Sequence, residues 1–242
     1  MNHHTRFDTA AATYNHHATL QHKIGDLLVS YIKLPIKGPV LDFGCGTGHL
    51  TQKLVSTTTS VIGYDQSESM INIAKNECRT DASCRWTSCL TDAERHAPFN
   101  LIISNATLQW VPDLTACIDW MRHHINCQGR LLISIFGPET FKELAEIWPT
   151  PIVATQFRSL TVYKKEFSHY FDSISVNEHE ERQVYASLSD LLRTIKGTGA
   201  YVPMGSGLVT PRKMAALDDL YRTKYGDITA TYQYAILELI AR

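Results

Sequence analysis

The chain has 242 residues, 44% of them hydrophobic and 19% charged, and a net charge of −1. This describes a globular protein with material for a sizeable core. It excludes a strong global pull toward nucleic acid or anionic membrane, and no apolar run reaches the roughly 18–20 residues of a membrane span. The N-terminal stretch lacks the apolar core of a signal sequence, so a cytoplasmic protein is expected. The six cysteines form no CxxC pair, and histidines such as His16-His17 are adjacent pairs that diverge on a helix. No metal is expected.

In chain order, Phe7 to Tyr31 reads as one helix, stopped by Pro35 and the Lys37-Gly38-Pro39 turn. Val40 to Phe43 is a strand. It runs into Asp42-Phe-Gly44-Cys45-Gly46-Thr-Gly48, a tight glycine turn before a helix from His49 to Val55. Such a turn lets backbone approach a ligand where a Cβ would clash. A second strand, Val61 to Tyr64, ends at Asp65, 17 positions after Gly48. An acid there can accept hydrogen bonds from both hydroxyls of a ribose.

Ser67 to Cys78 is helical, with Ser67 or Ser69 as the N-cap. Short strand Cys84 to Cys89, buried strand Leu101 to Ser104, helix Leu114 to Ile125, the Cys127-Gln128-Gly129 turn and buried strand Arg130 to Phe136 follow. Continuous apolar strands alternating with helices predict an α/β fold with a doubly wound, mostly parallel sheet covered on both faces.

After Gly137-Pro138 the pattern changes. A short helix covers Glu139 to Ile147, a loop and helix Phe157 to Phe171, a strand Ile174 to Ser187 and a helix Ser189 to Lys196. A Gly-rich loop holds Gly197, Gly199, Gly205 and Gly207. Pro211 to Lys224 is helical, and Ile228 to Ala241 alternates as the closing strand or strands. The segment from Gly137 to Gly207 exceeds a helical crossover, so a lid between the fifth and sixth strands is expected. Four divisions follow: 1–39 as a helical cap over the cofactor, 40–136 as the α/β core, 137–207 as a lid and substrate-binding insertion with a return strand, and 208–242 as the C-terminal helix and closing strands.

The glycine pattern narrows the cofactor. No lysine follows the loop, which excludes a P-loop, and an acid beside the loop repels a pyrophosphate but suits an ammonium or sulfonium. These residues resemble the first motif of the class I S-adenosylmethionine (SAM) methyltransferases. The resemblance implies a seven-stranded Rossmann-like sheet. It places Asp42, Gly44, Cys45, Gly46 and Gly48 at the methionine part, Asp65 on the ribose, Gln66 and Met70 beside the adenine, and Asn105 facing the methionine. Asp92 is displaced from the usual adenine-reading acid, so the backbone of Cys89 and Leu90 is expected to do that work. Ala106-Thr107 after Asn105 disfavours methylation of nucleic-acid amino groups.

Further strings resemble one family, the malonyl-acyl-carrier-protein O-methyltransferases of biotin synthesis. They include Phe7 with Ala11-Ala12-x-Tyr14-Asn15, Asn105-Ala106-x-Leu108-Gln109-Trp110, Phe136-Gly137-Pro138-x-Thr140-Phe141-x-Glu143-Leu144, Leu191-Leu192-x-x-Ile195-Lys196 and Tyr221-Arg222-x-x-Tyr225-Gly226. Asn100 departs from the Phe-Asp usual before the fourth strand. The resemblance implies methyl transfer to the free carboxylate of a malonyl thioester, on acyl carrier protein or coenzyme A, by a monomer. A carboxylate is ionised at pH 7 and needs no general base, but it does need orienting. The resemblance assigns that to Arg158, with Tyr14, Gln109 and Trp110 as the other catalytic candidates and Tyr14 also over SAM. Lys164-Lys165, Arg212-Lys213, Arg222 and Lys224 are candidates for an acidic carrier, and Lys196 for its phosphopantetheine. Two alternatives stay open: another small acceptor, such as an aconitate-like acid or a quinone carbon, and a SAM-binding assembly protein without catalysis.

Overall fold

A computed structural model describes residues 3–58, 60–78, 83–148, 150, 152, 157–200 and 210–242. Gly205 and Gly207 lie outside these residues, as do Pro151 and Gln156. Seven strands form one sheet: β1 (Val40–Phe43), β2 (Val61–Tyr64), β3 (Cys84–Thr87), β4 (Phe99–Asn105), β5 (Ile125–Phe136), β6 (Phe171–Tyr185) and β7 (Ile228–Ala241). Their order is β3-β2-β1-β4-β5-β7-β6. The first five are parallel, and β7 runs antiparallel between β5 and β6. The order reverses between β1 and β4, and a ligand crevice belongs at the carboxyl ends of those strands.

Helices cover both faces: α1 (His3–His17), α2 (Thr19–Ser30), α3 (His49–Leu54), α4 (Glu68–Glu77), α5 (Leu90–Glu94), α6 (Leu114–His124), α7 (Lys142–Ile147), α8 (Leu160–Ser168), α9 (Leu188–Gly197) and α10 (Pro211–Tyr225). Strand alternation sorts the core. Leu41, Ile102, Leu131 and Ile133 face one layer with Ile118, Tyr163 and Phe167. Val40, Leu101, Ile103 and Leu132 face the other with Leu28, Leu50 and Leu54. A third cluster, including Ile24, Phe136, Leu144, Leu191, Tyr221 and Tyr232, joins the later helices to the sheet. No described helix is long and apolar enough to cross a membrane.

Several elements differ from the sequence reading. The first helix is two, α1 and α2, which meet at the fully buried Ala18 (φ −86°, ψ 26°). Hydrogen bonds bridge the bend, from Ala18 N–H to Tyr14 O and from His22 N–H to Ala18 O, both 2.9 Å. The periodicity therefore continues through a change of direction it cannot signal. Ile125 is already strand, paired with Phe99 before a register shift.

The segment 137–207, read as a lid with a return strand, contributes that strand to the core sheet. β6 pairs with β7 from Phe171↔Ala241 to Tyr185↔Ile228, with one irregularity between Asp172 and Ser175. Its acids are matched by lysines: Glu178 by Lys164 (2.9 Å), Glu180 by Lys142 (2.9 Å) and Glu181 by Lys23 (2.6 Å). Such charges blunt an outer strand against pairing with another sheet.

Candidate active site

A cavity of about 390 Å³ opens at the carboxyl ends of β1, β2 and β4. The loop after β1 forms its floor. Gly44 (φ +79°) and Gly46 (φ +55°) occupy left-handed conformations that glycine adopts without a Cβ penalty. A Cβ on Gly44 would stand 2.3 Å from the Thr107 side chain, whereas one on Gly46 would meet no atom of the described residues within 4 Å. The loop is thus closed against β4 on one side and open on the other.

Asp65 ties the loop to the end of β2. Its carboxylate accepts from the N–H groups of Gly46 (2.9 Å) and Ser67 (2.8 Å). Ser67 caps α4, accepting from Met70 N–H at 3.2 Å, and donates to Asp8 of α1 at 2.5 Å. Asn15 bridges Thr47 (2.6 Å) and Glu77 (2.7 Å). These contacts hold α1 across the glycine loop and bring Tyr14 into the cavity wall. Burial first, and the Asp65 charge second, hold the Tyr14 phenol far above its ordinary pKa, so it keeps its proton.

Asn105 is fixed from two sides. Its Nδ2 donates to Gln21 O (2.9 Å), and its Oδ1 accepts from Ser134 Oγ (2.6 Å). Tyr64, Met70, Leu90, Cys117 and Trp120 make one wall mostly apolar. Burial pushes the Cys117 thiol up to about 12, so it stays neutral.

Of the expected cofactor residues, Tyr14, Gly44, Gly46, Asp65, Gln66, Met70, Leu90 and Asn105 meet in this wall; Asp42, Cys45, Gly48 and Cys89 do not. Asp42 is buried beneath the loop, 1% exposed, and accepts from Thr51 Oγ1 at 2.5 Å. Desolvation pushes it up to about 7. Cys45 is also buried. Gly48 (φ +89°) is the N-cap residue of α3. Cys89 is exposed, its N–H donating to Thr87 Oγ1 at 3.0 Å. A motif string alternates in direction, and only part of it can face one ligand.

A smaller chamber of about 40 Å³ adjoins the first, sharing Phe7, Tyr14, Ala106 and Trp110 in its walls. Trp110 stands edge-on between Phe7 (5.5 Å) and Phe157 (5.1 Å). Gln109 lines the smaller chamber, with Nε2 donating to Ala106 O at 2.7 Å and Oε1 buried without a partner among the described residues. The reading singled out neither Phe157 nor His17, which lines the same chamber. Their signal is tertiary, since they come from elements far apart in sequence.

Arg158 is in neither wall. Its guanidinium donates to Val111 O (3.1 Å) and Pro112 O (2.7 Å), two residues that line the larger cavity. The expected clamp therefore braces that wall from outside. Among the carrier-facing candidates, Lys164, Arg222 and Lys224 pair with Glu178, Asp218 and Glu146. Arg212, Lys213 and Lys196 are exposed.

A model of the methyltransferase domain matches residues 37–182. The chain belongs to the methyltransferase domain family. This methyltransferase is 27% identical to malonyl-acyl-carrier-protein O-methyltransferase 2 of Ilyobacter polytropus, over 98% of this chain and 95% of that one. It is 34% identical to the malonyl-acyl-carrier-protein O-methyltransferase of Bacillus anthracis, over 57% of this chain and 54% of that one. Its fold is similar to that of the YcgJ protein from Bacillus subtilis, with TM-score 0.66, 15% identity, and coverage of 91% of this chain and 99% of that one. It is a class I enzyme whose cofactor is SAM. The cavity fits that cofactor: an open glycine cradle at Gly46, a carboxylate at Asp65 for a ribose and an apolar slot beside Met70 and Leu90.

Proposed function

We propose that this methyltransferase esterifies the free carboxylate of a malonyl thioester carried on acyl carrier protein, giving the methyl ester that primes pimeloyl and biotin precursor synthesis. The observation that carries this reading is the small chamber beside the cofactor cavity, whose wall holds Tyr14, Gln109, Gln183, Thr194 and Thr198 and, among the described residues, no Asp or Glu. A carboxylate approaching these groups meets hydrogen-bonding partners and no like charge from them.

SAM, when bound, supplies an electrophilic methyl on a positively charged sulfonium. Asp65, Asn105 and the Gly44–Gly46 backbone bind and orient it. Tyr14, protonated and in both walls, donates a hydrogen bond at the junction of the chambers. Phe7, Trp110 and Phe157 exclude water, which strengthens the attraction between opposite charges. No proton has to leave a carboxylate acceptor, so alignment is the main demand on the protein. Arg158 serves in this reading as a positioning residue that braces Val111 and Pro112. The printed names of the two relatives support the substrate assignment.

The test is mass spectrometry of malonyl-acyl-carrier protein incubated with protein and SAM, with malonyl-coenzyme A, free malonate and acetyl-carrier alongside. Gain of one methyl on the malonyl thioester, with the acetyl control unchanged, supports the reading; methylation of free acids alone sinks it. A second reading, an acceptor that must lose a proton, is favoured by His17 in the chamber wall. His17→Gln keeps turnover if the acceptor is a carboxylate and abolishes it if the imidazole is a base.

A further inference from the structure

The smaller chamber carries backbone strain on both sides. Three non-glycine residues among those described have positive φ, and two of them, Ala106 (+52°) and Phe141 (+61°), line this chamber. For a bulky side chain that conformation is an outlier that the surroundings must enforce, and such outliers gather at ligand clamps. The enforcement is visible. Phe141 N–H donates to Thr231 O at 2.7 Å. Immediately before it, Thr140 Oγ1 donates to Gln233 O at 3.0 Å, and just after it the Glu143 carboxylate accepts from Thr231 N–H at 2.9 Å. Segment 140–143 is thereby stitched to β7. The Phe141 ring is buried and stands edge-on to Tyr232 at 4.9 Å. Ala106 is held opposite by two bonds from its N–H, to Ser134 O (3.0 Å) and Ser134 Oγ (2.9 Å).

The chamber so framed is small. About 40 Å³ holds roughly three or four water-sized groups, at about 10–15 Å³ each. That suits the CH2–CO2− tip of a malonyl group beyond its thioester carbonyl, and each further methylene asks for roughly one more such space.

The geometry points to Phe141 as the residue that sets the length of acyl group this enzyme accepts, its ring held in the chamber wall by a strained backbone. This assignment rests on the thioester-carboxylate reading above and adds a specificity determinant to it. The ring takes no part in bond making, so removing it changes selection among acceptors and leaves cofactor binding alone.

The test compares wild type, Phe141→Gly and Phe141→Leu on malonyl-, succinyl- and glutaryl-acyl-carrier protein, measuring kcat/KM for each ester and SAM affinity by calorimetry. Glycine tolerates φ +61°, which protects the fold of the larger deletion; leucine is a second variant with partial space. One misfitted methylene is worth roughly 10–200-fold in selectivity. Wild type should prefer malonyl over succinyl by at least about 10-fold. Phe141→Gly should erase that preference, Phe141→Leu should erode it, and both should bind SAM like wild type. Wild-type turnover of malonyl thioester with an unchanged malonyl-to-succinyl ratio in both variants overturns this assignment alone. Failure of wild type on every thioester overturns the underlying reading and the assignment with it.

Discussion

Asp42 offers a direct test of how the glycine loop is founded. Its carboxyl is 1% exposed, with one oxygen held by Thr51 and the other without a partner among the described residues. Desolvation, opposed by the Thr51 hydrogen bond, moves it from 3.8 to about 7. Between those values the folded chain holds a proton that the unfolded chain has released. This contribution to stability is therefore fully present below about pH 3.8 and is lost as pH rises through about 7. Integrating the proton difference from pH 5 to pH 8 gives a loss of about 2–3 kcal/mol. His22, lowered to about 4 by burial and then by His49, acts in the opposite sense. Its stability is present above about pH 6.5 and lost as pH falls, discounted because the ring is partly exposed. Comparing wild type with Asp42→Asn cancels it, because His22 is common to both. Urea unfolding at pH 5 and pH 8 should show the Asn variant gaining about 2–3 kcal/mol relative to wild type between the two. A relative change below about 0.5 kcal/mol would refute the claim that the buried carboxyl titrates near neutrality.

Three further outcomes follow from the site. Asp65→Ala removes the acceptor at the ribose position and should weaken SAM binding by about 10–100-fold in calorimetry, since hydrogen bonds to a charged group are worth about 1.5–3 kcal/mol; unchanged affinity would take Asp65 out of the cofactor site. Gly44→Ala combines φ +79° with a Cβ 2.3 Å from Thr107. It should cost at least about 1 kcal/mol in thermal or urea unfolding, and a wild-type midpoint would contradict the close packing. Arg158→Ala frees the carbonyls of Val111 and Pro112 and should raise the Kd for SAM by about 3–10-fold, the loss of one to two modest hydrogen bonds. Wild-type SAM affinity with turnover abolished would instead return Arg158 to the role of carboxylate clamp.

The sequence by itself carried the parallel core and the cofactor class. Buried strands such as Leu101–Ile103 are apolar throughout because both faces are covered, and the glycine turn and Asp65 are local because adjacent chain segments build them. The end of the first helix pattern, the placing of β6 at the sheet's outer edge and the composition of the second chamber depended on the tertiary structure. A bend at Ala18 leaves the helical periodicity intact. β6 is polar because, among the described residues, one side of it has no neighbouring strand, and its acids meet lysines from α2, α7 and α8. Asp42 and Cys89 stand in the motif strings, yet one points beneath the loop and the other to solvent. Trp110 meets Phe7 and Phe157 only when α1 and the segment before α8 fold over β4. Arg158 was legible as a cation in the right segment, but its direction was not. A long side chain has many rotamers, and here two backbone carbonyls left free after the turn at Leu108–Trp110 decide where it goes.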